Sequence, residues 1–192
     1  MRVLVFLTSI LIASAAMATE EPKYTLLGKS EPFELRAYAP QIVAEVKVDG
    51  DLDAASNQGF RLIAAFIFGK NQVSEKIAMT APVGIESSKS SENAGNQWTV
   101  SFVMPAEYTL ASLPKPLDPQ VKIRELPAEN KAVIAFSGFY NEEKVKEKTQ
   151  ALRDWMQTKN LKPRGEPQFA RYNPPWTLPF MRRNEVMIQV QE

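Results

Sequence analysis

Four stretches of the chain place side chains at spacings that could serve chemistry. Asn57, Phe60, Arg61, Ala64 and Phe68 recur at i, i+3, i+4, i+7 and i+11, which is one edge of a helix. Two phenylalanines beside a small alanine leave room for a flat apolar ligand, with Arg61 available to an anionic group; core packing is the competing reading of such an edge. Tyr172-Asn173-Pro174-Pro175-Trp176 is an aromatic-flanked turn stiffened by two prolines, suited to walling a pocket or to fixing a loop. Arg182 and Arg183 present two guanidinium groups just before Glu185, where they can clamp carboxylates or pair with Glu185 itself. In the stretch KIAMTAPV, residues 76–83, Met79 is a weak candidate for a soft metal ligand, set against a role as core filler.

The residues that are missing narrow the chemistry further. None of the 192 residues is histidine or cysteine. That removes Ser-His-Asp and Cys-His catalysis, thiol redox chemistry, disulfides, ordinary zinc sites and His- or Cys-ligated haem. Proton transfer would fall to Glu, Asp, Lys or Tyr with a shifted pKa, and the sequence marks out no such pair. There is no glycine-rich phosphate loop, EF-hand or paired-carboxylate spacing. Lys and Arg number 23 against 22 Asp and Glu, so no net field draws nucleic acid to the protein.

These side chains need elements to hold them. Asp53 can cap a helix running to about Phe68, with Ala55, Gly59, Leu62, Ile63 and Phe66 on its inner side and Gly69 closing it. Ahead of it, Phe33–Arg36 and Ile42–Val48 alternate as strands broken by Pro40. After it, Lys76–Ile85 reads as a strand, 86–97 as a polar hairpin tip and Trp98–Met104 as a half-buried strand. The Pro-rich stretch LPKPLDP, 113–119, is a connector.

Beyond the connector the same order returns. Strands are expected at Val121–Arg124 and Ala132–Phe136, and a helix at about Asn141–Lys159 with Val145, Thr149, Leu152 and Met156 on one face. Two more strands follow near Gln168–Tyr172 and Glu185–Val190. At an offset of 88, Leu35/Ile123, Arg36/Arg124, Ala44/Ala132 and Gly50/Gly138 align. This reads as an internal duplication, about 31–105 and 119–190, of a strand–helix–hairpin unit whose open sheet face needs its twin to be buried. The expected fold is α+β: a distorted antiparallel β-barrel with two flanking helices.

The first 18 residues read as a signal peptide: Arg2, an apolar run from Val3 to Ala16, and Ala16-Met17-Ala18 as a cleavage site. The expected product is an exported, periplasmic or secreted, protein spanning 19–192 with no membrane span after cleavage.

Taken in order, KIAMTAPV (76–83), WTVSFVMP (98–105), LPKPLDP (113–119), FSG (136–138), YNPPW (172–176) and RRNEV (182–186) closely resemble the SOUL haem-binding protein family over about Tyr24–Val190. The resemblance implies a duplicated α+β domain that binds haem or a related porphyrin in a shallow apolar groove beside the first helix. Carried over position by position, that groove would involve Asn57, Phe60, Ala64 and Tyr172. Haem-binding relatives tend to place basic residues on that helix and after the proline turn, where this chain has Asn57, Ala65 and Thr177. Arg61, with Arg182 and Arg183 as substitutes, would then have to meet the propionates; Phe68 on the helix edge and Trp176 at the turn remain candidates from the residues themselves. The expected partner is a small-molecule tetrapyrrole. An enzyme that removes metal from tetrapyrroles or breaks them down, and a protein-interaction domain that has lost haem, are the alternatives.

Overall fold

The computed structural model describes residues 19–88 and 97–191. The expected signal peptide, and residues 89–96 of the hairpin tip, lie outside the described residues. Strands β1 (Tyr24–Ser30), β2 (Phe33–Tyr38) and β3 (Gln41–Asp49) precede helix α1 (Leu52–Ile67). Strands β4 (Val83–Ser87), β5 (Gln97–Val103), β6 (Lys122–Leu126) and β7 (Glu129–Phe136) lead to helix α2 (Glu142–Thr158), followed by β8 (Pro163–Arg171) and β9 (Asn184–Val190).

Both helices begin where a side chain satisfies a backbone donor that the helix itself leaves open. Asp51 accepts the Ala54 N–H at 2.8 Å and Asn141 accepts the Lys144 N–H at 2.8 Å. The cap of α1 is therefore Asp51 rather than Asp53, which lies in the first turn. Gly59 sets how closely α1 approaches the sheet: a Cβ there would fall 2.5 Å from the Val100 side chain, so the helix rests directly on β5. On α2, Leu152 and Met156 are fully buried, and Trp155 stacks on Phe33 with ring centroids 5.2 Å apart.

All nine strands form one antiparallel sheet in the order β1-β2-β7-β9-β8-β4-β5-β3-β6. Read from β2, this order is reproduced in reverse when each strand of one half is exchanged for its counterpart in the other, as a pseudo-twofold requires. The registers carry the offset of 88 residue by residue. Arg36 lies opposite Lys131 in the β2/β7 pair, and the positions 88 away, Arg124 and Val43, lie opposite each other in the β3/β6 pair.

Two-residue links show how the sheet curls. Ala39-Pro40 joins β2 to β3, and Pro127-Ala128 joins β6 to β7, although each pair stands six places apart in the sheet. The sheet must bend until its two ends meet, yet among the described residues β1 and β6 do not hydrogen-bond to each other, so the barrel stays open along a seam. Its inner face is identified by a cavity of about 40 Å³ that receives a residue from every strand, among them Tyr24, Tyr38, Gly84, Leu126, Lys131 and Met187. The outer face carries the main core. Val46, Val100, Phe102, Ile134, Phe169 and Ile188 point out of it, under α1 on β3 and β5 and under α2 on β7, β8 and β9.

One expected strand is corrected here and one strand is added. Lys76–Ile85 is not a continuous strand: β4 starts only at Val83. Ahead of it the backbone and side-chain donors are used elsewhere, Ile77 N–H on the Ile67 carbonyl at 2.8 Å and the Thr80 hydroxyl on the Val103 carbonyl at 2.5 Å. Pro82 has no N–H to offer a ladder. Residues 24–30, unassigned from the sequence, form the edge strand β1. Its side chains are largely exposed on both faces, so it lacks the one-sided pattern that marks a strand.

Candidate functional site

The candidate residues fall on two sides of the sheet. On the outer side, α1 presents Asn57, Arg61 and Phe68 to solvent, half-buries Phe60 against Phe102 at a centroid distance of 5.7 Å, and buries Ala64. Among the described residues Arg61 has no ion-pair or side-chain hydrogen-bond partner, so its guanidinium is uncommitted. Met79 is exposed, on the segment that Ile77 ties to the C-terminal end of α1.

Tyr172 points the other way. It lies three residues beyond Phe169, and alternation along the strand turns it to the inner face, where its hydroxyl donates to Glu185 Oε2 at 2.7 Å. The structure thus separates Tyr172 from Asn57, Phe60 and Ala64 by the thickness of the sheet.

Tyr172 and Arg183 belong to a buried ionic cluster. Glu185 is fully buried and accepts from Arg36 Nη1 at 2.9 Å, Arg36 Nη2 at 3.0 Å and Arg183 Nε at 2.9 Å, besides Tyr172. Burial pushes the Glu185 carboxyl up, but the hydrogen bonds and charge of Arg36, aided by Arg183 and Tyr172, pull it below the usual carboxylate range. Burial, reinforced by Glu185, drives the Tyr172 phenol far above its ordinary value, and burial raises Tyr38 to about 12. The Arg183 guanidinium lies 3.7 Å from the Tyr172 ring centroid and its Nη1 reaches Glu21 Oε2 at 2.9 Å, while the Arg183 backbone N–H donates to Asn173 Oδ1 at 2.6 Å. Of the two readings of Arg183, the structure shows the pair with Glu185. The motif residues Tyr172, Asn173, Arg183 and Glu185 form a staple that fixes the turn between β8 and β9. Glu185 accepts four hydrogen bonds and holds no spare proton, which suits a structural role rather than proton transfer.

The turn so fixed is apolar and outward. Trp176 is 82% exposed and Phe180 73%, with Leu178, Met181 and Phe139 also exposed nearby. The Gly138 N–H bonds the Pro179 carbonyl at 2.9 Å, joining the Phe139 loop to the turn. The same segment reaches α1: Glu142 accepts the Leu52 N–H at 3.4 Å, while Tyr140 accepts from Arg171 on β8. Arg182 donates to the Thr177 and Pro175 carbonyls at 2.8 and 2.6 Å and sits 5.2 Å from the Phe139 ring centroid, so it is partly committed to holding the turn.

Sequence reasoning missed Arg36 and Tyr38 on β2 and the inner-face Lys131. Arg36 carried one signal, since it alternates out of phase with Phe33 and Leu35 and therefore faces away from the core. Among the described residues no group of three or more His, Cys, Asp or Glu is placed to hold a metal ion, and no helix is long and apolar enough to cross a membrane.

Comparison with known proteins adds to this geometry. The family model described as SOUL heme-binding protein matches residues 19–189. Heme-binding protein 2 of Homo sapiens is 31% identical over 145 residues, covering 72% of this chain and 70% of the relative. The protein of the same name from Mus musculus is 31% identical over 165 residues, covering 83% and 79%. The C-terminal domain of EcmrR superposes with a TM-score of 0.61 at 12% identity over 88% of this chain and 98% of that domain. A hydrolase from Listeria innocua superposes at 0.58 with 14% identity over 91% and 94%. At such identities these two structures support the fold alone.

Proposed function

The chain belongs to the SOUL heme-binding protein family, and on that premise we propose that it is an exported protein that binds haem or a related porphyrin. The observation that carries the reading is the outer surface at the α1 end. An exposed helix edge with an uncommitted arginine is linked, through the Leu52–Glu142 and Gly138–Pro179 hydrogen bonds, to a rigid turn bearing Trp176, Leu178, Phe180 and Met181. Such a surface suits a flat apolar macrocycle, and Arg61 and Arg182 suit its carboxylates.

The residues present fit the ring and its carboxylates better than they fit an iron. The chain has no imidazole or thiolate. The Tyr172 phenol donates to Glu185 on the far side of the sheet, so of the candidate residues Met79 is the metal ligand left on the outer surface. When bound, haem would supply a redox-active iron. This chain's own part is to hold the macrocycle through Phe60 and Trp176, to neutralise carboxylate charge through Arg61 and Arg182, and to keep the turn rigid through the Glu185 staple. Phe68, at the far end of α1, is about 24 Å along the helix from the turn.

Titration of the purified protein with haemin and with metal-free protoporphyrin tests this. The expected result is quenching of tryptophan fluorescence by both, with affinities within a few-fold of each other. An unchanged haemin Soret band and unquenched fluorescence at micromolar ligand would overturn the reading. Porphyrin binding far weaker than haemin binding would show instead that a protein side chain ligates the metal.

A further inference from the structure

We propose that the protein carries a second ligand site, at the open end of the curled sheet, which takes a small apolar molecule without acidic groups and has residues 20–23 as its wall. A cavity of about 480 Å³ opens there, between the Ala39-Pro40 link and the segment that follows β5. Small-molecule sites commonly span about 300–1,000 Å³, so the space is of useful size. Its lining is mainly apolar, with Pro40, Ile42, Val103, Met104, Pro105 and Leu110 among its residues. None of the α1 candidates contributes to it, so it is separate from the surface assigned to the tetrapyrrole.

The wall is built rather than incidental. The Glu20 carbonyl accepts the Ala81 N–H at 2.9 Å, and its Oε1 accepts the Ala106 N–H at 3.0 Å. Next in the chain, Glu21 is ion-paired to Arg183 at 2.9 Å. Three distant parts of the fold therefore hold this short segment over the mouth of the cavity.

Charge sets the class of ligand. Glu20, Glu21, Glu125 and Lys23 line the cavity, and Arg183 already neutralises Glu21. Among the described residues Glu20, Glu125 and Lys23 make no ion pair. In the mature chain the Thr19 ammonium joins Lys23 against Glu20 and Glu125, so the rim has no surplus cation to hold an anion such as a porphyrin carboxylate, and the apolar lining favours a neutral molecule.

Nile red, a neutral apolar dye, and anilinonaphthalene sulfonate, an anionic one, provide the test on the full mature chain. Ala39→Trp and Ala106→Trp each place an indole in the cavity from an exposed position, so the fold is retained, as circular dichroism will check. Nile red is expected to bind the wild type at micromolar concentration and at least tenfold more weakly to both variants, while Trp176→Ala leaves its affinity unchanged. Glu20→Ala, which releases the wall from Ala106, lowers the affinity several-fold. The haemin response of Ala106→Trp stays that of the wild type, which separates this site from the tetrapyrrole reading. Equal Nile red affinity in the wild type and both tryptophan variants, no Nile red binding at all, or sulfonate dye displacing Nile red with equal affinity would each overturn the proposal.

Discussion

Replacing Glu185 by Gln keeps the shape of the side chain and removes its charge, which isolates the electrostatics of the inner-face staple. Arg36 is only 3% exposed and faces Glu185 through two hydrogen bonds of 2.9 and 3.0 Å. Breaking a buried pair from one side costs about 3–5 kcal/mol, because the remaining charge is left uncompensated. Arg36 keeps a second carboxylate, Glu34 at 2.7 Å, which is 20% exposed, so the low end of that range applies, about 3 kcal/mol. For a chain of this length that corresponds to a fall in Tm of about 6–12 °C. The pH dependence carries its own sign. The folded Glu185 carboxyl titrates below its ordinary value, so its stabilisation is complete above the unfolded pKa, about 4.5, and fades as pH falls through the folded one. The gap between wild type and Glu185→Gln is therefore constant from pH 7 to about 5 and narrows below about 4.5. Urea unfolding at pH 7, 5.5 and 4 measures it. Glu147→Gln is the control: Lys144 and Lys148 also lower that carboxyl, but it stands in open solvent on α2 and its loss leaves the midpoint in place. A gap under about 1 kcal/mol at pH 7, or one that widens on acidification, would refute the assignment of the cluster as a buried staple.

Three further outcomes follow from single contacts. Gly59→Ala in mid-helix normally gains about 1 kcal/mol, but here the new methyl meets Val100 at 2.5 Å, and the variant should lose about 1–3 kcal/mol in thermal or urea unfolding. Asp51→Ala removes the α1 cap and should cost about 1 kcal/mol, read as a lower urea midpoint with an unchanged slope. Arg61→Ala should weaken protoporphyrin binding about tenfold by fluorescence titration, about 1.5 kcal/mol for one lost hydrogen bond to charge; unchanged affinity would take Arg61 out of the site.

The two helices and the duplication were readable because they are local or periodic. The Leu152 and Met156 stripe marks α2, and the offset of 88 reappears as strand register. The ionic cluster was not readable, since Arg36 and Glu185 are 149 residues apart and no local pattern ties them. The split of the candidate site was half visible. Counting from the buried Phe169 already sends Tyr172 to the opposite face, but only the strand order shows that α1 lies across the sheet from it. Residues 76–82 misled because an apolar, β-branched run can spend its hydrogen bonds on a helix end and a neighbouring loop as well as on a ladder.

The strand order has a consequence for how the molecule can be divided. Between β7 and β3 each half keeps its strands together, but β2 of the first half pairs with β7 of the second, and β6 of the second pairs with β3 of the first. The halves are clasped by an exchanged strand, as two subunits of a swapped dimer would be. A chain cut within residues 113–119 would give two fragments, the first lacking the β7 neighbour of β2 and the second lacking β3, the one strand that β6 pairs with. Neither is a self-sufficient domain, and mixing the two should restore the fold that each alone cannot complete.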